Sequence, residues 1–330
     1  MKNLRRRLVA GLLFGFLVVV ALTLLGDVRQ VGDNLASFRW TLIPVILLCT
    51  LFNYAVRFVK WNFFLRLIGI RNLARRESAR LFVAGFPLAL TPGKIGEALK
   101  AVWLNRTTGT PTARGVTVVL AERISDGLAV LVLSALGVIA YPAYWPAFAT
   151  ILGLLLTGVI LSQIRPVALV LIHIAERLPL IGRVAHHLRE FYEGTYALFR
   201  PFSTLAAVGL GTLAWLGEGI GMYLVLLGLG ITPGWQTLSM AVFVLSFSIA
   251  VGAVSALPGG LGAAEGSIAG MLTLLMALPA SMAAAATLLI RFATLWFGVA
   301  LGLSVWSRSR DLLTFESPAE PRMVNEDIKP

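Results

Sequence analysis

Five acids, Glu97, Glu122, Asp126, Glu218 and Glu265, lie in or against long apolar runs, and five bases, Arg57, Lys60, Lys94, Arg123 and Arg291, lie in the same runs. A charge at the centre of a membrane helix costs about 3 kcal/mol on insertion scales, so such groups are expected to be paired or to face a polar cavity. Two kinds of chemistry follow. The charges could be locks between helices, or they could line a site for a charged headgroup and a proton. Glu122 and Asp126 are four residues apart and share a helix face, where like charges repel. Either a base lies between them or one carboxyl keeps its proton. If they share one buried site in that way, Asp126→Asn is expected to cost little stability. Each Pro-Gly break, Pro92-Gly93 and Pro258-Gly259, is expected to start a new helix whose free N–H groups and positive dipole end suit a phosphate. Lys94 adds a full charge at the first break. Gly96 and Gly262 suit either an approaching anion or close helix packing. The expected substrate-binding set is Arg57, Pro92, Gly93, Lys94, Gly96, Glu97, Arg123, Gly259, Gly260, Gly262, Glu265 and Arg291. Glu122, Asp126 and Glu218 are the proton-coupling candidates. The buried charges cancel without a ligand, so an arriving anion would unbalance them and make proton uptake physically natural.

These residues recur in order. Pro92-Gly93-Lys94-Ile95-Gly96 parallels Pro258-Gly259-Gly260-Leu261-Gly262. Glu97 precedes Arg123 by 26 residues, as Glu265 precedes Arg291. Leu67-Ile68-Gly69-Ile70 parallels Gly228-Leu229-Gly230-Ile231, and the same offset pairs Arg57 with Glu218. An internal repeat is expected, one unit at about 41–140 and the other at about 203–306. Gly260 stands where the first unit has Lys94, so it is expected to accept a lysine.

The elements that position these groups must be membrane helices. The chain is 58% hydrophobic and 13% charged, which leaves too little polar surface for a water-soluble domain. Its net charge of +12 could suggest nucleic acid, but the bases sit between apolar runs, as they do opposite anionic lipid headgroups. Cys49 is the sole cysteine, which excludes an intrachain disulfide. His173, His186 and His187 have no carboxylates at ligand spacing, so no metal or other cofactor is expected. Full spans are expected at 8–25, 41–62, 116–140, 147–161, 203–229 and 282–306. The Pro-Gly-broken stretches 79–103 and 235–278 are each expected to enter and leave on one side, although the second is long enough for two spans. The expected class is therefore an all-α polytopic protein with about six full spans and two re-entrant hairpins, or up to eight or more spans.

With Arg5–Arg7 in the cytoplasm, all but seven of the 28 Lys and Arg fall on that side. Arg29 and Arg39 lie outside, and five lie within apolar segments. That asymmetry predicts cytoplasmic termini. Residues 165–200 repeat apolar positions at helical spacing beside Arg183, His186, His187 and Arg189, as an amphipathic surface connector would. Residues 307–330 are expected to form a disordered tail. By this parity the two repeat units are inverted, which is a transporter architecture. Residues 1–306 then form one translocase domain.

Three stretches carry a family resemblance: Leu90-Thr91-Pro92-Gly93-Lys94-Ile95-Gly96-Glu97, Ala121-Glu122-Arg123-Ile124-Ser125-Asp126-Gly127, and Leu257-Pro258-Gly259-Gly260-Leu261-Gly262-Ala263-Ala264-Glu265-Gly266. Together they resemble the flippase-like family of the lysylphosphatidylglycerol synthase transmembrane region, over about residues 8–306. The resemblance implies a non-enzymatic lipid translocase of the bacterial cytoplasmic membrane, with a membrane lipid as substrate and anionic headgroups as partners. It also implies a stand-alone member, because no soluble aminoacyl-transfer domain follows Trp306 in this chain. The rival reading is a lipid-modifying enzyme or an accessory protein of envelope biosynthesis. Glu122-Arg123-Ile124-Ser125-Asp126-Gly127 superficially resembles the acidic start of a CDP-alcohol phosphotransferase site, but a second acidic helix motif is missing nearby.

Overall fold

The computed structural model describes residues 2–91, 96–140, 198–255 and 257–312, with isolated positions between 145 and 196. Most of the expected 147–161 span, most of the 165–200 connector and residues 313–330 lie outside the described residues. All described elements are helical. They are α1 (Lys2–Leu25), α2 (Val28–Ser37), α3 (Ile43–Leu67), α4 (Arg75–Ala84), α5 (Leu99–Thr108), α6 (Thr112–Ala140), α7 (Pro201–Gly228), α8 (Trp235–Val254), α9 (Ala263–Met276), α10 (Ala280–Arg291) and α11 (Phe297–Arg308). The chain is an all-α, multi-pass integral membrane protein.

Among the described residues, five segments are long and apolar enough to cross a bilayer: Trp40–Leu67, Pro201–Gly228, Trp235–Val254, Pro258–Met276 and Ala280–Arg308. α1 and α2 add a sixth if their 95° bend at Gly26-Asp27 counts as one broken span. α6 has 29 residues, about 44 Å of helix, and is long enough too. Its Glu122, Arg123 and Asp126 dilute its apolar character. The two Pro-Gly regions differ. α4 and α5 have ten residues each, about 15 Å, half of a hydrocarbon core. They suit a dip into the membrane. α8 has 20 residues, so the second region has the length for two crossings.

Two apolar cores flank the charged residues. One gathers Trp61, Phe64, Phe82, Leu104 and Trp103. The other gathers Ile46, Met222, Phe243, Ile268 and Ile290. α3 and α7 join the two, packed along their lengths. Small residues permit this approach: a Cβ on Gly217 would stand 3.3 Å from the Cys49 carbonyl oxygen and 2.8 Å from Phe52. The opposite sides of these helices expose Leu48, Val59, Phe202 and Leu205, as a lipid-facing surface requires.

α3 and α7 also end alike. Ile70 N–H bonds to Leu65 C=O (2.9 Å) and Gly69 N–H to Arg66 C=O (3.1 Å). At the matching positions Ile231 N–H bonds to Leu226 C=O and Gly230 N–H to Leu227 C=O, both at 3.1 Å. Both are left-handed glycine caps, with φ of 95° at Gly69 and 92° at Gly230. The shared Leu-Gly-type signature thus has a mechanical cause in each half.

Candidate polar cavity

A cavity of about 120 Å³ lies where α3, α6, α7, α8 and α10 meet the two broken regions. Arg57, Glu97, Lys100, Arg123, Glu218 and Arg291 all face it. Four bases and two acids therefore line the same space. Its remaining wall is aromatic or small, including Tyr54, Phe86, Trp215, Gly252 and Gly260.

Asp126 is the hub of the first cluster. Its Oδ1 accepts from Lys60 Nζ, which also donates to Ser125 Oγ at 3.1 Å. Its Oδ2 lies 3.5 Å from both Arg57 and Arg123. Arg123 Nε lies 3.3 Å from Glu97 Oε2. Glu122 faces away from this hub and takes its own base: Lys100 Nζ donates to its Oε2 at 2.9 Å. Lys100 also sits 5.0 Å above the Trp61 ring, a cation–π contact. Glu122 and Asp126 share one side of α6, yet each takes its own base. The expectation that Asp126→Asn would be cheap is therefore corrected, because three cations converge on that carboxylate.

Glu265 and Arg291 form the second cluster. Arg291 Nε donates to Glu265 Oε1 at 2.5 Å, and its Nη2 donates to the Gly259 carbonyl at 3.2 Å. Glu265 Oε2 accepts Gly262 N–H at 2.6 Å, closing the first turn of α9 on itself. The 26-residue spacing thus produces an ion pair in each half, Glu97–Arg123 and Glu265–Arg291. At the second break, Gly259 offers Arg291 a carbonyl and one N–H of the α9 start is already taken. The cation, more than the bare helix end, is what this break presents to an anion.

Pro92, Gly93 and Lys94 lie outside the described residues. The turn before them, Phe86–Leu90, packs on Pro258–Gly260, so the approach to the first break meets the second break. Gly96 N–H donates to Thr91 Oγ1 at 2.8 Å, and a Cβ there would overlap the Thr91 side chain. Gly96 is a close-packing glycine. Gly260 is another, and the expectation that it would accept lysine is corrected. Its φ is 68°, and a Cβ would stand 3.0 Å from Gly252 Cα. Gly260→Lys should destabilise the protein by at least about 1–2 kcal/mol from the backbone conformation alone. The midpoint of thermal unfolding in detergent would show this, and an unchanged midpoint would contradict the packing.

Glu218 behaves differently from the other four acids. It is buried, faces the cavity, and makes no ion pair or hydrogen bond among the described residues. Arg57, which the expected repeat pairs with it, has only long contacts among the described residues. Arg57 Nε has no hydrogen-bond partner, its Asp126 contact is long, and its guanidinium sits 5.8 Å over Trp215.

Sequence reasoning missed Lys100, Tyr54, Trp215 and Thr294. The loop count places Lys100 with the cytoplasmic bases, whereas in the fold it is buried. Its spacing three residues after Glu97, within an apolar stretch, was the available signal. The others carry no signal in one sequence, because Tyr54 and Trp215 are ordinary membrane-helix residues. Tyr54 donates to the Thr294 carbonyl (2.7 Å), in the π-helical turn Phe292–Trp296 that follows Arg291.

Comparison with known proteins places the chain among membrane proteins. A UPF0104 membrane protein of Methanothermobacter thermautotrophicus is 29% identical over 283 residues, covering 80% of this chain and 82% of that protein. A UPF0104 membrane protein of Pyrococcus horikoshii is 25% identical over 309 residues, covering 86% and 90%. No solved structure matches. The family described as the lysylphosphatidylglycerol synthase TM region matches residues 8–302, which include every charged group of the cavity, and the chain belongs to that family.

Proposed function

We propose that this protein moves an anionic, phosphate-bearing lipid or lipid-linked group across the cytoplasmic membrane. The supporting observation is the cavity itself: four cationic side chains against two acidic ones, inside a membrane protein, with Glu218 unpaired among the described residues and Arg57 held only at 3.5 Å by the Asp126 it shares with Lys60 and Arg123. A purely structural set of locks would pair every charge. Membership in this family supports a lipid-related role at the coarser level. The inverted arrangement of units 41–140 and 203–306, with both termini cytoplasmic, completes the proposal, because it would open one central site to either face. The identical caps and equivalent ion pairs support that symmetry.

Headgroup capture falls to Arg57, with Arg123 and Arg291 beside it. Lipid analysis of the purified protein tests this. Phosphate-bearing lipids should be enriched over the surrounding membrane, and Arg57→Gln should remove the enrichment. A lipid profile equal to that of the membrane would contradict headgroup capture. Metal-dependent product formation by purified protein would instead support the enzyme reading.

Glu218 is the proton carrier of the proposal. It shares the cavity with Tyr54 and Arg57 of α3 and Arg291 of α10, with Asp126 of α6 behind them. Binding an anion beside these bases removes positive potential from Glu218 and favours its protonation. Glu218→Gln mimics the protonated acid. It should leave stability near that of the parent and flatten the pH dependence of lipid movement. A variant whose rate follows pH as the parent's does would exclude Glu218 as the carrier.

A further inference from the structure

A second cavity lies directly behind Arg291. It measures about 230 Å³, and its wall is apolar apart from one end. α1 contributes Gly15, Val18 and Leu22, which fall on one side of the helix, while Leu288, Phe292 and Trp296 close the opposite side. Glu265 and Arg291 form the end, and Arg291 faces the polar cavity as well. The π-helical turn serves both spaces: Thr294 and Leu295 line the polar one, Phe292 and Trp296 the apolar one. Such a turn inserts an extra residue and re-aims the side chains after it.

We propose that this apolar cavity holds one acyl chain of an anionic phospholipid, with Arg291 contacting its phosphate at the junction of the two spaces. The inference rests on the translocase reading and adds where the chain of the substrate goes. Size permits a segment of that chain, since an apolar cavity of about 150 Å³ already binds benzene. Hydrocarbon lying in an apolar slot gains packing contacts with its walls. The supply is adjacent: the other side of α1 exposes Leu13, Phe16 and Leu17, each about 60% accessible, to the bilayer's own acyl chains. The polar end of the slot is the Glu265–Arg291 pair, whose guanidinium also lines the headgroup cavity. Gly15 lets α1 lie against the Trp296 ring, where a Cβ would overlap it, and so sets the closeness of the slot's outer wall.

The test is photolabelling of the full chain in mixed micelles with a phosphatidylglycerol carrying a diazirine in one acyl chain. Adducts are mapped by peptide mass spectrometry. Labels on Leu13, Phe16 and Leu17 report surrounding lipid. Labels on Val18, Leu22 and Leu288 report the slot. The expected result is inner labelling that dodecyl phosphate competes about tenfold better than dodecyl maltoside, as a charge-assisted contact provides. Outer labelling should respond to neither. Val18→Phe fills the slot from α1 without touching the ion pair, and should abolish the inner labels while sparing the outer ones. Arg291→Gln should erase the preference for phosphate. The inference is overturned by labels confined to the outer set, by equal competition from both detergents, by stronger competition from farnesyl phosphate, or by inner labels that survive Val18→Phe. Inner labelling in a protein that moves no lipid would sink the translocase reading and keep the acyl-chain site. Lipid movement without inner labels would do the reverse.

Discussion

Asp126→Asn should destabilise the protein by about 3–5 kcal/mol, because it leaves Lys60 buried and strips Arg57 and Arg123 of a shared counter-charge. Lys60 has no other carboxylate within ion-pair distance among the described residues, and it cannot reach water. The measurement is the free energy of unfolding in mixed detergent micelles titrated with sodium dodecyl sulfate. Asp311→Asn provides the scale. Its pair with Arg80 is at the surface, with the Asp311 side chain 60% exposed, and should be worth about 0–1 kcal/mol. If the two variants lose equal stability, the buried hub is wrong. The rescue follows from the same geometry: Lys60→Met combined with Asp126→Asn should recover part of the loss, since replacing a buried pair costs less than orphaning one member.

The second large effect concerns Arg57→Gln, and here stability and function should separate. Asp126 keeps Lys60 and Arg123, so unfolding should change little. Lipid movement should fall by about 10–100-fold, the worth of one charge-assisted hydrogen bond to the headgroup. The contrast distinguishes a lock from a site. A lock loses activity in step with folded protein. A site loses activity at unchanged stability.

Much of this site was legible in the sequence, and the reason is cost. Charges are so expensive in apolar helices that their mere presence marks the interior of the protein. Glu97, Arg123, Glu265 and Arg291 could therefore be placed in the interior by type alone, and their common spacing pointed to equivalent positions. Pairing across the fold was not legible. Glu122 and Asp126 share a helix side in any reading of α6, but only the packing of α3 and α5 shows that Lys60 serves one and Lys100 the other. Lys100 itself looked cytoplasmic because it precedes a short polar turn at Thr107–Thr112. Gly260 illustrates a different gap. Its alignment with Lys94 suggested tolerance of a long side chain, whereas contact with Gly252 on the neighbouring helix decides the matter.

Lipid movement in proteoliposomes tests the central claim most directly. Vesicles containing the purified chain would carry acyl-labelled NBD-phosphatidylglycerol or NBD-phosphatidylcholine, and dithionite would report the exchange between leaflets. The account predicts that the parent moves phosphatidylglycerol faster than phosphatidylcholine, and that Arg57→Gln, at equal folded protein, loses the difference. If the parent moves neither lipid faster than empty vesicles, or if Arg57→Gln moves phosphatidylglycerol as fast as the parent, the cavity is not the path of an anionic lipid.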